Sequence, residues 1–546
     1  MAYCGRCERS RAVDSDIAYT PEIVTLADIA RHHARVRPRA IATLHADRAT
    51  TFESLHGRSS RVANGLIASG IKPGARVAVL DHNSDRYFEI MLGVAKVGAV
   101  SVTVNWRLAP REVGYVLKDS CAEMLFVGGR HAAHLAALLA DLKMMRQIIV
   151  IDGMAGAWPA YENWIGRYND IDPGYEGAAQ DTAIQIYTSG TTGHPKGVEL
   201  AHATFYGLSR YRALEKFDPH FGWIDWQPGD TAIIAVPAFH IGGTFWAFLA
   251  LYCGARALIL SQFDAGEVLL AIPQHRVTQL ILVPTMIQQV LAHPDCATTD
   301  FSSLRYLLYG ASPIPFELLR EATAMFKCRF IQVYGMTELC GAVTYLSAQD
   351  HNSGETQRMR SAGKAVTGVG LDIRDPEGRS LPRGTVGEIC VHSETRMNGY
   401  WNLPDATAAT MNAAGWVRTG DAGFVDSDGY IYVQDRIKDM IVSGGENVYP
   451  AEVESAIYGH PSVAEVAVIG VPDSRWGEAV KAIVVLKPGS EADADSILSF
   501  ARSRIGGFKL PKSVDFVAAL PKNATGKVLK RELRNPYWAN RDRQVN

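Results

Sequence analysis

YTSGTTGHPKG, residues 187–197, holds three glycines, three threonines, one serine and one lysine. Almost nothing in it can build a core. Small residues let backbone N–H groups come close to an anion, and the hydroxyls and Lys196 add donors. The natural reading is a loop that grips phosphate. It is not a Walker loop, which needs Ser or Thr after the lysine; here Gly197 follows Lys196. Alone, the stretch also fits a flexible Ser/Thr/Gly loop, because glycine-rich matches are individually weak.

Outward from the loop, short β-rich runs alternate with helical patterns. RVAVL (76–80) precedes the helix start and apolar helix of DHNSDRYFEIMLGVAKVGAV. EMLFVGG (123–129) precedes HAAHLAALLADL, and QIIVIDG (147–153) follows. TAIIAVPAF (231–239) and RALILS (256–261) come next. TQLILVP (278–284) leads into TMIQQVLAH, and RYLLYGAS (305–312) into PFELLREATAMF. This alternation predicts wound α/β subdomains with parallel strands. After about residue 360, runs such as TVGEICVHS and GWVRTGDAGFVDSDGYIYVQDR are short strands broken by Gly and Asp turns, which predicts a β-rich module. The tail changes again: helix, strand, strand, helix, strand from AEVESAIYGHP to VDFVAAL read as a small α+β unit.

At 546 residues, 47% hydrophobic and 21% charged, the chain has material for several cores. A formal net charge of -2 gives no bulk electrostatic reason to expect nucleic acid or acidic lipid as a partner. Among eight cysteines, Cys4 and Cys7 are closely spaced, but a lone CxxC without a second pair or nearby histidines is a weak zinc signal. Residues 1–16 read as a loose polar tail, and the thiols as reduced. The first residues lack the apolar run of a signal peptide. TFWAFLALYCGA (244–255) is too short to span a bilayer and reads as a buried helix. The expectation is a cytoplasmic protein with no integral membrane segment; a homodimer is left open.

Further motifs follow the loop in order: AFHIGG (238–243), LYGASPIP (308–315), VYGMTE (333–338), RTGD (418–421), DRIKDMIVSGGENVYPAEVE (435–454) and PKNATGKVLKREL (521–533). Together they resemble the adenylate-forming superfamily of acyl-CoA synthetases, adenylation domains and luciferases. The pattern is most similar to acyl-CoA synthetases for aromatic, alicyclic or fatty acids. The resemblance implies a large N-terminal domain over 17–434 and a small mobile C-terminal domain over 435–546, hinged at Asp435. It also implies ATP, Mg²⁺ and coenzyme A as cofactors and co-substrates, with a small-molecule carboxylic acid as partner.

By that resemblance, Thr188, Ser189, Gly190, Thr191, Thr192 and Lys196 hold the β- and γ-phosphates. Tyr334 lies against the adenine, with Gly310, Ala311 and Ser312 on its other face and Gln332 at the adenine amine. Thr337 touches the α-phosphate, and Glu338 is the Mg²⁺ ligand, as suits a hard cation. Asp421 and Arg436 grip the ribose hydroxyls. Lys527 bridges the carboxylate and the α-phosphate during adenylation, a task for a point charge. For Glu338 and Lys527 the bland alternative is a solvated surface charge, and for Arg436 a plain ion pair.

His240 by default reads as a satisfied core histidine. The resemblance places it in the acid pocket, changing rotamer between half-reactions rather than acting as a base. Phe239, His240, Gly310, Tyr334, Gly335 and Met336 line that pocket. AFHIGG lacks the aspartate that pairs with an α-amine, so an amino acid substrate is disfavoured. The aromatic stretch 205–226 fits either a wide apolar pocket or ordinary packing. For CoA, Gly444 and Gly445 let the pantetheine pass, while Trp476, Phe508 and Lys509 match contacts to its nucleotide end.

The leading reading is an ATP-dependent acyl-CoA synthetase for a hydrophobic acid. Alternatives are an adenylating enzyme that loads a carrier-protein pantetheine or uses the adenylate otherwise, and a catalytically dead binding protein. The last is disfavoured because every charged catalytic position is filled.

Overall fold

The run IGGTFWAFLALY forms the helix Ile241–Tyr252, and from Gly243 to Tyr252 every residue is buried. A helix apolar on all faces has no polar side to show water, so it sits inside a fold. Here it shares one core with inward residues of two sheets, among them Val77, Val79, Ala232 and Ile234. The indole N–H of Trp246 donates to the Ile233 carbonyl (3.1 Å), so its burial leaves no polar group unsatisfied.

The computed structural model describes residues 20, 22–135, 142, 144–153, 156–188, 195–206, 226–227, 229–352, 357–443, 446–523 and 526–539. Residues 1–16, with Cys4 and Cys7, lie outside these, as do residues 207–225 of the aromatic stretch. No described helix is long and apolar enough to cross a membrane.

The seven-stranded sheet centres on Arg76–Leu80, flanked by Val100–Thr103 and Met124–Val127, all parallel. Successive residues of Arg76–Leu80 enter different cores: Val77 and Val79 face one, Ala78 and Leu80 the other. That is why RVAVL is a continuous apolar run rather than an alternating one. The helix that follows, Asp85–Ala95, is capped by Ser84, whose hydroxyl accepts from the Tyr87 N–H (3.1 Å).

The nine-stranded sheet carries Gln279–Leu282, Tyr306–Gly310 and Arg329–Met336 side by side and parallel. Toward its far edge, Ile41–His45 pairs with Arg256–Ile259 on one side and with the edge strand Arg48–Thr51 on the other. A four-stranded antiparallel sheet follows, comprising Gly370–Arg374, Gly387–His392, Trp416–Val425 and Ile431–Arg436. After residues 437–440 the chain enters the last sheet at Ile441–Ser443. There the long hairpin Val463–Asp473/Gly477–Leu486 packs on helices Pro450–Tyr458 and Ala494–Arg502. The large α/β part, the β-rich module and the small α+β unit all appear as the sequence predicts.

Three buried histidines are fixed as neutral acceptors or donors. His202 Nδ1 accepts from the Leu26 N–H (3.1 Å), His33 Nε2 donates to the Tyr252 carbonyl (2.9 Å), and His351 Nδ1 donates to the Ser347 carbonyl (2.7 Å). Burial pushes each down to about 4. Between pH 6.5 and 4 the unfolded chain therefore binds more protons than the folded one. Their stabilising contribution is complete above pH 6.5 and is lost as pH falls toward 4, by up to roughly 3 kcal/mol per histidine. Thermal melts at pH 7.5 and 4.5 should show a sharp acid loss. His351→Gln should shallow it; a melting temperature flat across this window would contradict the assignment.

Candidate active site

Strands Thr182–Thr188 and Lys196–Ala201 are antiparallel, with Thr188 opposite Lys196. The phosphate-loop sequence thus joins two paired strands, with Thr188 at the end of one and Lys196 at the start of the next. Ser189, Gly190, Thr191 and Thr192 lie outside the described residues. Beside Lys196, the two-residue strand Gly399–Tyr400 pairs with the hairpin's outer edge. The Lys196 ammonium lies 4.8 Å from the Tyr400 ring centroid. The Tyr400 hydroxyl donates to Glu338 Oε1 (2.7 Å). Glu338 is buried, and among the described residues no lysine or arginine pairs with it. A buried carboxylate held by one hydroxyl and lacking a cation suits a hard divalent ion. Thr337 precedes it in a single 3₁₀ turn, Thr337–Leu339.

The other residues gather outside the carboxyl ends of parallel strands, where open α/β sheets bind ligands. Gly310 ends its strand opposite Val333, and a side chain on it would meet the Val333 carbonyl at 2.3 Å. On Gly335 a side chain would meet the Gly341 carbonyl at 1.6 Å. Backbone packing alone demands glycine at both, so their smallness does not measure the width of an acid pocket. Ala311 follows in the left-handed region (φ 68°), and Ser312 continues the same turn. The Gln332 amide oxygen lies 3.4 Å from the Tyr309 hydroxyl.

Tyr334 and Arg436 converge on Asp421. The Tyr334 hydroxyl donates to Asp421 Oδ2 (2.7 Å), and Arg436 Nε to Oδ1 (2.9 Å). Another guanidinium N–H of Arg436 reaches the Thr419 carbonyl (3.0 Å). Burial raises the Asp421 carboxyl above its usual value, against the pull of Arg436, Tyr334 and Lys527. Lys527 is near enough to this cluster for Arg436 and Asp421 to act on its charge. Its neighbour Gly526 leaves no room for a side chain, which would meet Thr285 Oγ1 at 2.4 Å, so the tail loop is packed on the large domain. Lys527 reaches solvent, but partial loss of water and the nearby Arg436 lower its ammonium, while Asp421, Asp439 and Asp435 pull it back up.

Phe239 is buried and packs edge-on to Trp106, with centroids 6.3 Å apart. His240 stacks obliquely beside Phe239 (4.6 Å) and begins the buried helix as its N-cap. His240 Nε2 is buried with no hydrogen-bond partner among the described residues. Burial and then the Arg107 guanidinium push the ring down to about 4, so it is neutral near pH 7. Met336 closes the strand that carries Tyr334.

The expected CoA residues are dispersed. Gly444 and Gly445 lie outside the described residues. Trp476 is exposed between Arg475 and Lys512, whose charges stand 4.6 and 5.6 Å from its ring. Phe508 is exposed, but Lys509 is engaged by both oxygens of Glu452 (2.7 Å each). Asp435 ties the module to the tail: Oδ2 accepts from the Ala451 N–H (2.9 Å) and faces the Lys530 ammonium (3.5 Å). Lys530 also pairs with Glu454 (2.9 Å).

Two family profiles match the chain: AMP-binding enzyme over residues 30–401 and AMP-binding enzyme C-terminal domain over 452–527. The chain belongs to the AMP-binding enzyme family. It is 41% identical to a fatty acid–[acyl-carrier-protein] ligase (ScoC) of Streptomyces coeruleorubidus, over 97% of this chain and 100% of that protein. It is 39% identical to a feruloyl-CoA synthase of an Amycolatopsis species, over 92% and 97% respectively. An anthranilate CoA ligase solved with anthranoyl-AMP superposes with a TM-score of 0.86 at 29% identity, over 96% of this chain and 98% of that one. This AMP-binding enzyme is accordingly an adenylate-forming acid–thiol ligase.

Sequence reasoning passed over Tyr400. It sits in NGYWNLP, a short polar stretch that reads as a turn, and its partners Lys196 and Glu338 are remote in sequence. Aromatic residues beside glycine and proline were the only signal. The geometry also sets an expectation for Glu338→Gln, which keeps an acceptor for Tyr400 and removes the charge. Half-maximal adenylation should need about tenfold more magnesium or beyond. An unchanged magnesium titration would exclude Glu338 as the ligand.

Proposed function

We propose that this AMP-binding enzyme is an ATP-dependent acyl-CoA synthetase for a hydrophobic carboxylic acid. The observation that carries the proposal is the convergence of Tyr334 and Arg436 on Asp421, with Lys527 near enough for Asp421 and Arg436 to act on its charge. A carboxylate is a poor electrophile and must be activated. One of its oxygens attacks the α-phosphorus of ATP, and the bond to the pyrophosphate oxygen breaks. A thiolate then attacks the acyl carbon, and the bond to AMP breaks. The first half is chiefly positioning and charge neutralisation.

In this reading Asp421 takes the ribose hydroxyls on the lone pairs that Tyr334 and Arg436 leave open, since each carboxylate oxygen accepts two bonds. The Tyr334 ring carries the adenine, beside Gly310, Ala311, Ser312 and Gln332. Thr188, Ser189, Gly190, Thr191, Thr192 and Lys196 hold the terminal phosphates, with Thr337 at the α-phosphate. Glu338 would hold magnesium, which would supply neutralisation of phosphate charge. Lys527 stands between the two anions that must approach each other, a task suited to a point charge. The small unit from Asp435 onward turns as a body between the half-reactions, bringing Gly444 and Gly445 in turn to the thiol.

The surroundings of His240 support the acid class. Its surroundings are Phe239 and a neutral imidazole edge; the charge acting on it is Arg107, and no carboxylate acts on it among the described residues. An α-ammonium group finds no partner there. A second reading replaces free CoA by a carrier-protein pantetheine, favoured by the full-length similarity to an acyl-carrier-protein ligase. Incubation with ATP, Mg²⁺ and a panel of fatty, aryl, alicyclic and polycyclic acids, with CoA, holo carrier protein or no acceptor, separates them by product mass. Bulky apolar acids should win. Preference for acetate or an amino acid defeats the pocket argument, thioester on carrier protein alone selects the second reading, and no pyrophosphate release under any condition overturns both.

A further inference from the structure

The strand Arg76–Leu80 ends at a group the adenylation chemistry leaves unused. Asp81 and His82 follow the strand directly, and His131 arrives from the helix Gly129–Leu135 beyond the neighbouring strand. His131 Nε2 lies 3.3 Å from His82 Nδ1, and His82 Nδ1 lies 3.9 Å from Asp81 Oδ1. One ligand atom from each residue falls within 4.8 Å of the others. Asp81 and His82 are buried and His131 is half-buried. Among the described residues no lysine or arginine pairs with the Asp81 carboxylate; its recorded hydrogen bond is from the His82 N–H (2.8 Å).

The surroundings hold this group in place. Gly128 lets the carboxylate approach its backbone: a side chain there would meet Asp81 Oδ1 at 2.1 Å. The His82 ring stacks on Trp106, with centroids 3.9 Å apart and planes at 20°. His131 lies parallel to His82 at 5.3 Å. A tetrahedral zinc-class ion with bonds of about 2.0–2.1 Å sets its donors roughly 3.3 Å apart, which is the spacing of the two imidazole nitrogens here. Two imidazoles and one carboxylate select zinc, cobalt or nickel over magnesium, which prefers an all-oxygen shell.

We infer that Asp81, His82 and His131 form a binding site for one zinc-class divalent ion, with the fourth position open to water. The proton now between His131 Nε2 and His82 Nδ1 moves to the far nitrogen of its own ring, so two neutral imidazoles ligate without net proton loss there. The site is separate from Glu338 and stands on its own apart from the reaction proposed above. Trp106 links it to the acid pocket, since one of its rings stacks on His82 and its edge meets Phe239. A bound ion would therefore stiffen one wall of that pocket.

The test uses the full chain carrying Cys4→Ser and Cys7→Ser, so that the paired thiols contribute nothing, after stripping with chelator. Equilibrium dialysis against Zn²⁺ in the presence of Mg²⁺, and titration with Co²⁺ followed by visible absorption, are compared with His131→Ala and Asp81→Asn. The expected result is one zinc per chain, an intense low-coordinate cobalt spectrum, and about 100-fold or greater weakening in His131→Ala with native melting retained. Stoichiometric zinc that both variants keep at parental affinity overturns the site. So does absence of zinc binding by the parent under the same conditions.

Discussion

Lys527→Ala should slow acyl-adenylate formation about 10²–10³-fold or more, the scale of losing a group that stabilises developing charge. The loss should fall on kcat for adenylation, because a point charge between the acid and the α-phosphate acts most strongly as they close. Thioester formation from preformed acyl-adenylate should survive. The placement sharpens the expectation. Lys527 is near enough to Asp421 and Arg436 for them to act on its charge, and its loop is packed against Thr285 through Gly526. Removing the side chain leaves that packing intact, so a folding defect is not expected. Rapid-quench measurement of each half-reaction decides it. Equal loss of both would make the lysine structural or shared.

Asp435→Pro should separate the half-reactions in the opposite sense. Proline holds φ near about −65°, and a residue that must swing a whole unit cannot tolerate that. Thioester formation should fall about 100-fold, since misplacing a reacting group by an ångström costs that much. Adenylation should persist at a reduced rate. The reduction comes from the carboxylate, which in this structure accepts from the Ala451 N–H and faces Lys530. Asp435→Asn isolates this contribution, because it leaves φ free. A folded Asp435→Pro enzyme running both halves at parental rates would falsify the hinge. Matching thioester-specific losses in both variants would assign the effect to charge rather than rotation.

Much of the layout was legible because its signals are local. RVAVL, TQLILVP and RYLLYGAS are buried on both faces and so lack alternation, which reads directly as parallel strand. The membrane-like run 244–255 was legible as buried helix from its length. Strand order was not. Ile41–His45 pairs with Arg256–Ile259 across most of the large domain, and nothing in either segment names the other. Within the site, motif order pointed to Tyr334, Asp421 and Arg436 separately. Only the fold brings one phenol and one guanidinium onto the same carboxylate. Gly310 and Gly335 show the converse limit. The resemblance places them in the acid pocket, whereas carbonyls of neighbouring strands already claim the space where a side chain would stand and demand glycine there whatever the substrate.

The two-residue strand Gly399–Tyr400 is bracketed by backbone bonds, Asn398 N–H to the Glu199 carbonyl and Trp401 N–H to the Gly197 carbonyl (2.8 Å each). Its chain neighbours on either side, Gly387–His392 and Trp416–Val425, belong to the antiparallel module. The module thus reaches out and seals the hydrogen-bonding rim of the phosphate hairpin. An unsealed rim of that kind is a template on which other chains can add strands. During synthesis the hairpin waits some two hundred residues for its seal, so aggregation during folding is most to be feared in that interval, and a fragment ending before Gly399 would carry the hazard permanently.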